Sequence, residues 1–171
     1  MNHPLKTEYY SYYGSPLGEI LLTSDGESLT GLSFIDDDLL KKKLCSEDIV
    51  VIRDTILWLD QYFDGTIPSF TPKLKAEGSA FRERVWQILL TIPYGQTMTY
   101  KQIAEIIAKE RSMKKMSAQA IGNAVGHNPI GLIIPCHRVI GSDGSLVGYA
   151  AGLERKKKLL ELEKTMSDRH R

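Results

Sequence analysis

The sequence predicts two domains of different class: a small α/β domain over residues 1–77 and a mainly α domain over residues 78–171. Three observations predict this. Apolar and polar residues alternate at short, strand-like period from Thr7 to Ile35, whereas helical spacing dominates beyond Gly78. The stretch Thr71 to Gly78, with Pro72 and Gly78, reads as the connection between the domains. Charge divides the same way: residues 1–85 carry 9 basic and 14 acidic side chains, net −5, and residues 86–171 carry 13 and 7, net +6. That asymmetry points the second half towards a polyanion. An exposed helix face at Arg155-Lys156-Lys157-Lys158 is the plainer source of part of it.

In the first domain, turn signals at Gly14-Ser15-Pro16 and Ser24-Asp25-Gly26 divide a meander of short antiparallel strands, and Tyr9, Tyr10, Tyr12 and Tyr13 suit strand packing. From Asp48 to Phe63, Val51, Ile52, Ile56, Leu59 and Phe63 fall at helical spacing and predict one helix covering the sheet. Asp36-Asp37-Asp38 and Lys41-Lys42-Lys43 flank a solvent-facing connection in which Cys45 is an incidental thiol.

In the second domain, Phe81, Val85, Ile88 and Leu89 form one face of a helix that must end near Pro93. Thr99-Tyr100-Lys101-Gln102 is a capping-box pattern, so a helix starts at Tyr100 with Ile103, Ile106 and Ile107 inward. After a basic loop, Lys109 to Lys115, Ser117 starts a second helix that runs to about His127. Two short helices so joined predict a helix-turn-helix relative with a long connection. The second helix is built of small residues, Ala118, Ala120, Gly122, Ala124 and Gly126. A helical glycine costs about 1 kcal/mol against alanine, which calls for tight packing or the close approach of a bulky partner. The tail, Lys164 to Arg171, is polar and expected to fray.

Composition excludes several classes. Two cysteines in 171 residues rule out a disulfide-stapled scaffold. Apolar runs such as Ile130 to Ile134 are too short to span a bilayer, so no membrane association is expected. The start, MNHPLKTEYY, lacks a basic segment followed by an apolar run, which predicts no signal peptide and a cytoplasmic setting.

Chemistry concentrates in Ile133-Ile134-Pro135-Cys136-His137-Arg138-Val139-Ile140-Gly141, where a polar triplet interrupts an apolar strand. A free thiol titrates near about 8.5, and lowering it to about 7 takes roughly 2 kcal/mol of differential stabilisation. Neighbours on an extended chain point to opposite sides, so His137 is expected to reach Cys136 through a water while a carboxylate holds the imidazole. No metal is expected: no second cysteine pairs with these groups, and His3, His127 and His170 are scattered.

Pro135-Cys136-His137-Arg138-Val139, preceded by Gly126-His127-Asn128-Pro129 and followed by Gly148-Tyr149 and Gly152-Leu153, resembles the O6-alkylguanine-DNA alkyltransferases, or methylated-DNA–protein-cysteine methyltransferases. Phe81-x-x-x-Val85-Trp86, Ile92-Pro93-Tyr94-Gly95 and Thr99-Tyr100 extend the likeness, which covers about Gly78 to Glu163. Residues 1–77 match only in general pattern. The resemblance implies a ribonuclease H-like α/β domain followed by a winged-helix-like helix-turn-helix domain.

It also implies a monomer, without cofactor, that binds duplex DNA through the minor groove and rotates an O6-alkylguanine out of the stack. The alkyl group then moves irreversibly to Cys136, once per molecule; O4-alkylthymine is left open as a second substrate. In that implied scheme Cys136 is the acceptor, His137 its water-bridged base, Glu163 the group orienting His137, and Asn128 the support of the loop. Tyr100 pushes the target phosphate and donates to the base, Tyr149 walls the pocket, and main-chain groups of Cys136 and Val139 read the guanine edge. The small residues, Ala120 and Gly122 among them, admit the helix to a groove only about 6 Å wide.

Two positions depart from the family pattern. Gln119 stands where many members insert an arginine into the stack, which predicts weaker trapping of the flipped base. Ala150-Ala151 follows Tyr149 where a glycine commonly takes the second place, and Ala151 is expected to narrow the pocket mouth. Three other readings compete. Alkyltransferase-like lesion binders lack the acceptor thiol, which Cys136 argues against. A transcription regulator would have only Gln119 and Asn123 to read bases on the second helix. A thiol hydrolase would lack an oxyanion-hole motif.

Overall fold

The structure, a computed structural model, describes residues 7–36 and 48–171. The expectations for His3, Asp37-Asp38, Lys41-Lys42-Lys43 and Cys45 lie outside the described residues. The chain divides into two compact units, Met1–Ala76 and Glu77–Arg171.

In the first unit, β1 (Tyr9–Ser15), β2 (Gly18–Ser24) and β3 (Leu29–Phe34) form an antiparallel sheet in the order β1-β2-β3. The turn signals act as expected. Ser15 Oγ accepts from Leu17 N–H at 3.1 Å and donates to the Gly18 carbonyl at 2.6 Å, and Asp25 Oδ1 accepts from the N–H groups of Glu27 and Ser28. Ile20, Leu22, Leu29 and Leu32 make the buried sheet face.

Helix α1 (Val50–Phe63) begins two residues after Asp48, because Ile49 at its N-cap offers no side-chain acceptor. Its buried face includes Val51, Ile52, Leu59 and two aromatics the sequence reading passed over, Trp58 and Tyr62, stacked at 5.1 Å; Ile56 and Phe63 are only half-buried. The stretch 71–78 is not a free linker throughout: Leu29 N–H donates to the Lys73 carbonyl at 2.7 Å and Lys75 N–H to the Leu29 carbonyl at 2.9 Å, extending the sheet by one bridge.

The second unit contains α2 (Ala80–Leu89), β4 (Met98–Thr99), α3 (Tyr100–Glu110), α4 (Ala118–Gly126), β5 (Val139–Ile140) and α5 (Leu153–Arg169), with a single 3₁₀ turn at Cys136–Arg138. Ser79, Thr99 and Ser117 each cap the helix that follows, and Thr99 with Gln102 forms the full reciprocal box. Trp86 donates its indole N–H to the Ala124 carbonyl at 2.9 Å, and Ala124 is buried, so this member of the small-residue row serves packing of α2 on α4. Strands β4 and β5 pair in parallel, Met98 with Val139 and Thr99 with Ile140, which fixes the start of α3 beside the cysteine turn.

Two expectations about α5 are corrected. The tail does not fray before Arg169: Met166 is fully buried, and Gly95, left-handed at φ +76°, leaves no room for a Cβ, which would stand 2.6 Å from Ser167 Cβ. The basic run is not a uniformly exposed face either. Lys157 and Lys158 are exposed, Arg155 is half-buried, and Lys156 is 0% exposed.

Candidate active site

The segment before Cys136 turns instead of running extended. Ile134 N–H donates to the Ile130 carbonyl at 3.1 Å, and Leu132 is held left-handed at φ +63° while fully buried. A leucine pays about 1–2 kcal/mol for that backbone. Asn128 holds the turn from inside: its Nδ2 donates to the Ile134 carbonyl at 2.8 Å and its Oδ1 accepts from Ile130 N–H at 3.0 Å. The 3₁₀ geometry of Cys136–Arg138 then sends successive side chains about a third of a turn apart. His137 and Arg138 can therefore both reach one carboxylate, which an extended strand would not allow.

That carboxylate is Glu163 on α5. His137 Nε2 lies 2.6 Å from Glu163 Oε1, while Arg138 donates through Nε to Oε2 at 2.7 Å and through Nη2 to Oε1 at 2.9 Å. Arg138 also donates through Nη1 to the Ile92 carbonyl at 2.6 Å and lies 4.2 Å over the Tyr94 ring. Burial alone would raise the Glu163 carboxyl; His137 and Arg138 outweigh it and hold the pKa down at about 2. His137 Nδ1, on the far edge of the ring, is buried with no hydrogen-bond partner.

Burial pushes the Cys136 thiol up, against the downward pull of the Asn128 hydrogen bond, the Lys156 charge and the N–H groups of the turn. The thiol lowered towards neutrality that the sequence suggested is thus not the resting state. Lys156 is the unforeseen group here. Its Nζ donates to the Val139 carbonyl at 2.5 Å and the Val147 carbonyl at 2.8 Å, and burial lowers its pKa to about 8 although Cys136 acts to raise it.

Beside this array lies a groove of about 800 Å³. Tyr100, Gln119, Gly122, Tyr149 and Ala150 line it, with Asn123 and Gly126 on the same face of α4. Gly122 has only the Tyr100 ring near it, at 3.9 Å from a built Cβ, and Gly126 has nothing within 4 Å, so the small residues here leave open space. Tyr100 donates its hydroxyl to the carbonyls of Val147, at 3.1 Å, and Gly148, at 3.3 Å; Gly148 is left-handed at φ +65° and its backbone passes close under that hydroxyl. Burial raises the phenols of both Tyr100 and Tyr149, with the Cys136 charge adding to it.

Not every site residue expected from sequence faces the groove. Ala120 is absent from its lining, and its N–H is taken by the Ser117 cap. Ala151 is likewise absent from the lining, where Ala150 stands, and its carbonyl accepts from Arg155 Nη1 at 3.2 Å. Val139 is fully buried, pairing in β5 and presenting its carbonyl to Lys156. The sequence reading gave no role to Arg138, Tyr94 or Lys156, although the first two lie in motifs it singled out. Lys156 had a signal, since it lies seven residues before Glu163, on the same buried face of α5. Among the described residues no group of three or more His, Cys, Asp or Glu side chains could hold a metal, and no helix is long and apolar enough to cross a membrane.

A helix-turn-helix unit whose groove opens beside a buried cysteine, histidine and glutamate defines a class of DNA-binding proteins that carry a reactive thiol. The chain belongs to the 6-O-methylguanine DNA methyltransferase family, whose DNA-binding domain profile matches residues 80–165 and whose ribonuclease-like domain profile matches residues 8–76. It is 41% identical over 159 residues to a methylated-DNA–protein-cysteine methyltransferase of Haemophilus influenzae, covering 91% of this chain and 86% of that one. A protein of the same name from Methanosarcina barkeri is 44% identical over 160 residues, covering 91% and 96%. The crystal structure of Mycobacterium tuberculosis OGT in complex with DNA superposes with a TM-score of 0.80 at 39% identity, covering 92% of this chain and 94% of that one.

Proposed function

We propose that the protein repairs alkylated DNA by moving the alkyl group from O6 of guanine in a duplex to Sγ of Cys136, once per molecule. One observation carries the reading: a buried thiol beside a groove, flanked by an imidazole whose Nε2 meets Glu163 and whose Nδ1 is buried and unpartnered. In this reading residues 78–171 both bind and react, and the target base enters the groove from the minor-groove side. Burial keeps the thiol protonated at rest, so proton removal accompanies substrate binding. The proton passes through a water to His137 Nδ1, and Glu163 stabilises the imidazolium.

Sulfur then bonds to the alkyl carbon, the carbon–O6 bond breaks, and its electron pair returns to guanine, which takes up one proton. Tyr100 and Tyr149 flank the base, Tyr100 turning its hydroxyl from the Val147 and Gly148 carbonyls to donate to it, and main-chain groups of Cys136 and Val139 meet the guanine edge. Asn128 and Lys156 hold the loop. The thioether has no ready leaving step, which ends the cycle, and a free thiol of this kind suits a reducing, cytoplasmic compartment.

Intact-mass analysis after incubation with excess O6-methylguanine duplex tests the reading. The expected result is a single gain of one methyl for one hydrogen, mapped to the Cys136 peptide and abolished in Cys136→Ala. An unchanged mass overturns it in favour of lesion binding alone.

A further inference from the structure

We propose that a second cavity, adjoining the groove, seats backbone phosphates of the same DNA duplex; the inference rests on the DNA-repair reading above. The cavity, of about 440 Å³, is lined by Lys101 from the first turn of α3 and by Lys114 and Lys115 from the loop before α4. Glu105 is the acidic residue in its lining. Ala118 and Ser142 line both this cavity and the groove, so the two are continuous across the start of α4.

The charge arrangement asks for an anion. Lys73, Lys75 and Arg84 are each paired with a carboxylate. Among the described residues, by contrast, the side chains of Lys101, Lys114 and Lys115 have neither an ion-pair nor a hydrogen-bond partner. Three exposed lysines and one glutamate in a single lining leave it a net positive charge that an anion would offset.

The adjoining groove identifies the anion. Each DNA strand presents a phosphate about every 3.4 Å of helix axis, so a strand passing Ala118 meets the lysines next. Lysine is a point charge without the planar fork that reads a base edge, and the apolar part of the cavity, Ala104, Ala108, Ala118 and Met116, offers no hydrogen-bonding side chain to a base. Such a seat fixes register without reading sequence, which suits a protein that must find a lesion in any context.

The test compares full-length wild type with Lys101→Ala/Lys114→Ala/Lys115→Ala, measuring duplex affinity across a salt series and Cys136 alkylation by free O6-methylguanine base. Each phosphate left without its lysine lowers the slope of log affinity against log salt by roughly 0.9, so a fall of about 2–3 is expected, equal on damaged and undamaged duplex. The corresponding triple arginine variant restores the slope, and reaction with the free base keeps its wild-type rate. An unchanged slope overturns the proposal, as does a parallel slowing with the free base, which would place the lysines in support of the reactive site. A wild type that is never alkylated by the duplex sinks the repair reading instead. A wild type that is alkylated, with a variant of unaltered slope, sinks only the phosphate seat.

Discussion

The two units bury different kinds of polar side chain. Among the described residues, those buried in the first unit are Ser11, Ser24, Ser28 and Thr55, all hydroxyls; those in the second are His137, Arg138, Lys156 and Glu163, all ionisable. Ser24 and Thr55 donate to carbonyls four residues away in their own chain, at 2.8 and 2.7 Å, so burying them costs little. An ion taken out of water loses several kcal/mol, which its partner must offset. A unit that only has to stay folded has no reason to carry that penalty. The second unit carries it at Arg138, Lys156 and Glu163, within one helix and one turn, and that turn also holds the only sulfur nucleophile among the described residues.

Glu163→Gln should break the contrast most severely. It leaves His137 and Arg138 buried against a neutral amide, and removing one partner of such a set costs about 3–5 kcal/mol, read as a lower urea midpoint. The pH dependence has a definite sign. Glu163 sits at about 2 against an ordinary 4.5, so its stabilisation is complete above pH 4.5 and disappears as the pH falls from 4.5 towards 2. Glu163→Gln should flatten that acid limb. A variant as stable as wild type, with the same acid limb, would mean that the buried charges stabilise nothing.

Lys156→Met comes next. Its native pKa of about 8 lies below the ordinary 10.5, so between those values the unfolded chain binds the extra proton and wild-type stability rises with pH. The variant should lose that alkaline rise. It also removes a cation that draws the Cys136 thiol down, so thiol modification at neutral pH should slow. The rate of Cys136 carboxymethylation across pH measures this directly, and an unmoved profile would leave Lys156 a packing residue.

How much of this was legible in the sequence depends on the range of the interaction. Caps at Thr99 and Ser117, the turns at Ser15 and Asp25, and the period of α3 are decided within four residues, and they appear as read. The pairing of His137 with Glu163 spans 26 residues and was available only through the family likeness. The 3₁₀ turn at Cys136 was illegible because an apolar run before a proline has no period that separates strand from turn. Its consequence, Arg138 sharing Glu163, was lost with it. Lys156 was misread because charge pattern alone cannot tell a snorkelling lysine from a buried one; what buries it is two loop carbonyls that no local rule places there.

Gln119→Arg sharpens the comparison without touching a buried group. Gln119 is exposed on the groove face of α4, one residue after its start, so arginine fits without repacking. A planar cation both stacks on bases and attracts phosphate, and the variant should bind O6-methylguanine duplex several-fold more tightly and react faster with it. Reaction with free O6-methylguanine base should not change. If duplex affinity and rate stay at wild-type values, stacking at this position is not limiting, and the neutral amide is no handicap.

Thr55→Val should have the smallest effect, and it probes the other side of the contrast. The Thr55 hydroxyl is buried and donates to the Val51 carbonyl at 2.7 Å, in the middle of α1. That carbonyl is also the helical acceptor for the N–H of residue 55 itself, so losing the hydroxyl orphans nothing. Valine nearly fills the same volume and is equally stiff about χ1 in a helix. A loss within about 1 kcal/mol is therefore expected, against several for Glu163→Gln. Thermal or urea unfolding of the two variants side by side makes the measurement. If Thr55→Val costs as much as Glu163→Gln, the hydroxyls of the first unit are as deeply committed as the charges of the second, and the kind of buried polar group no longer separates the two.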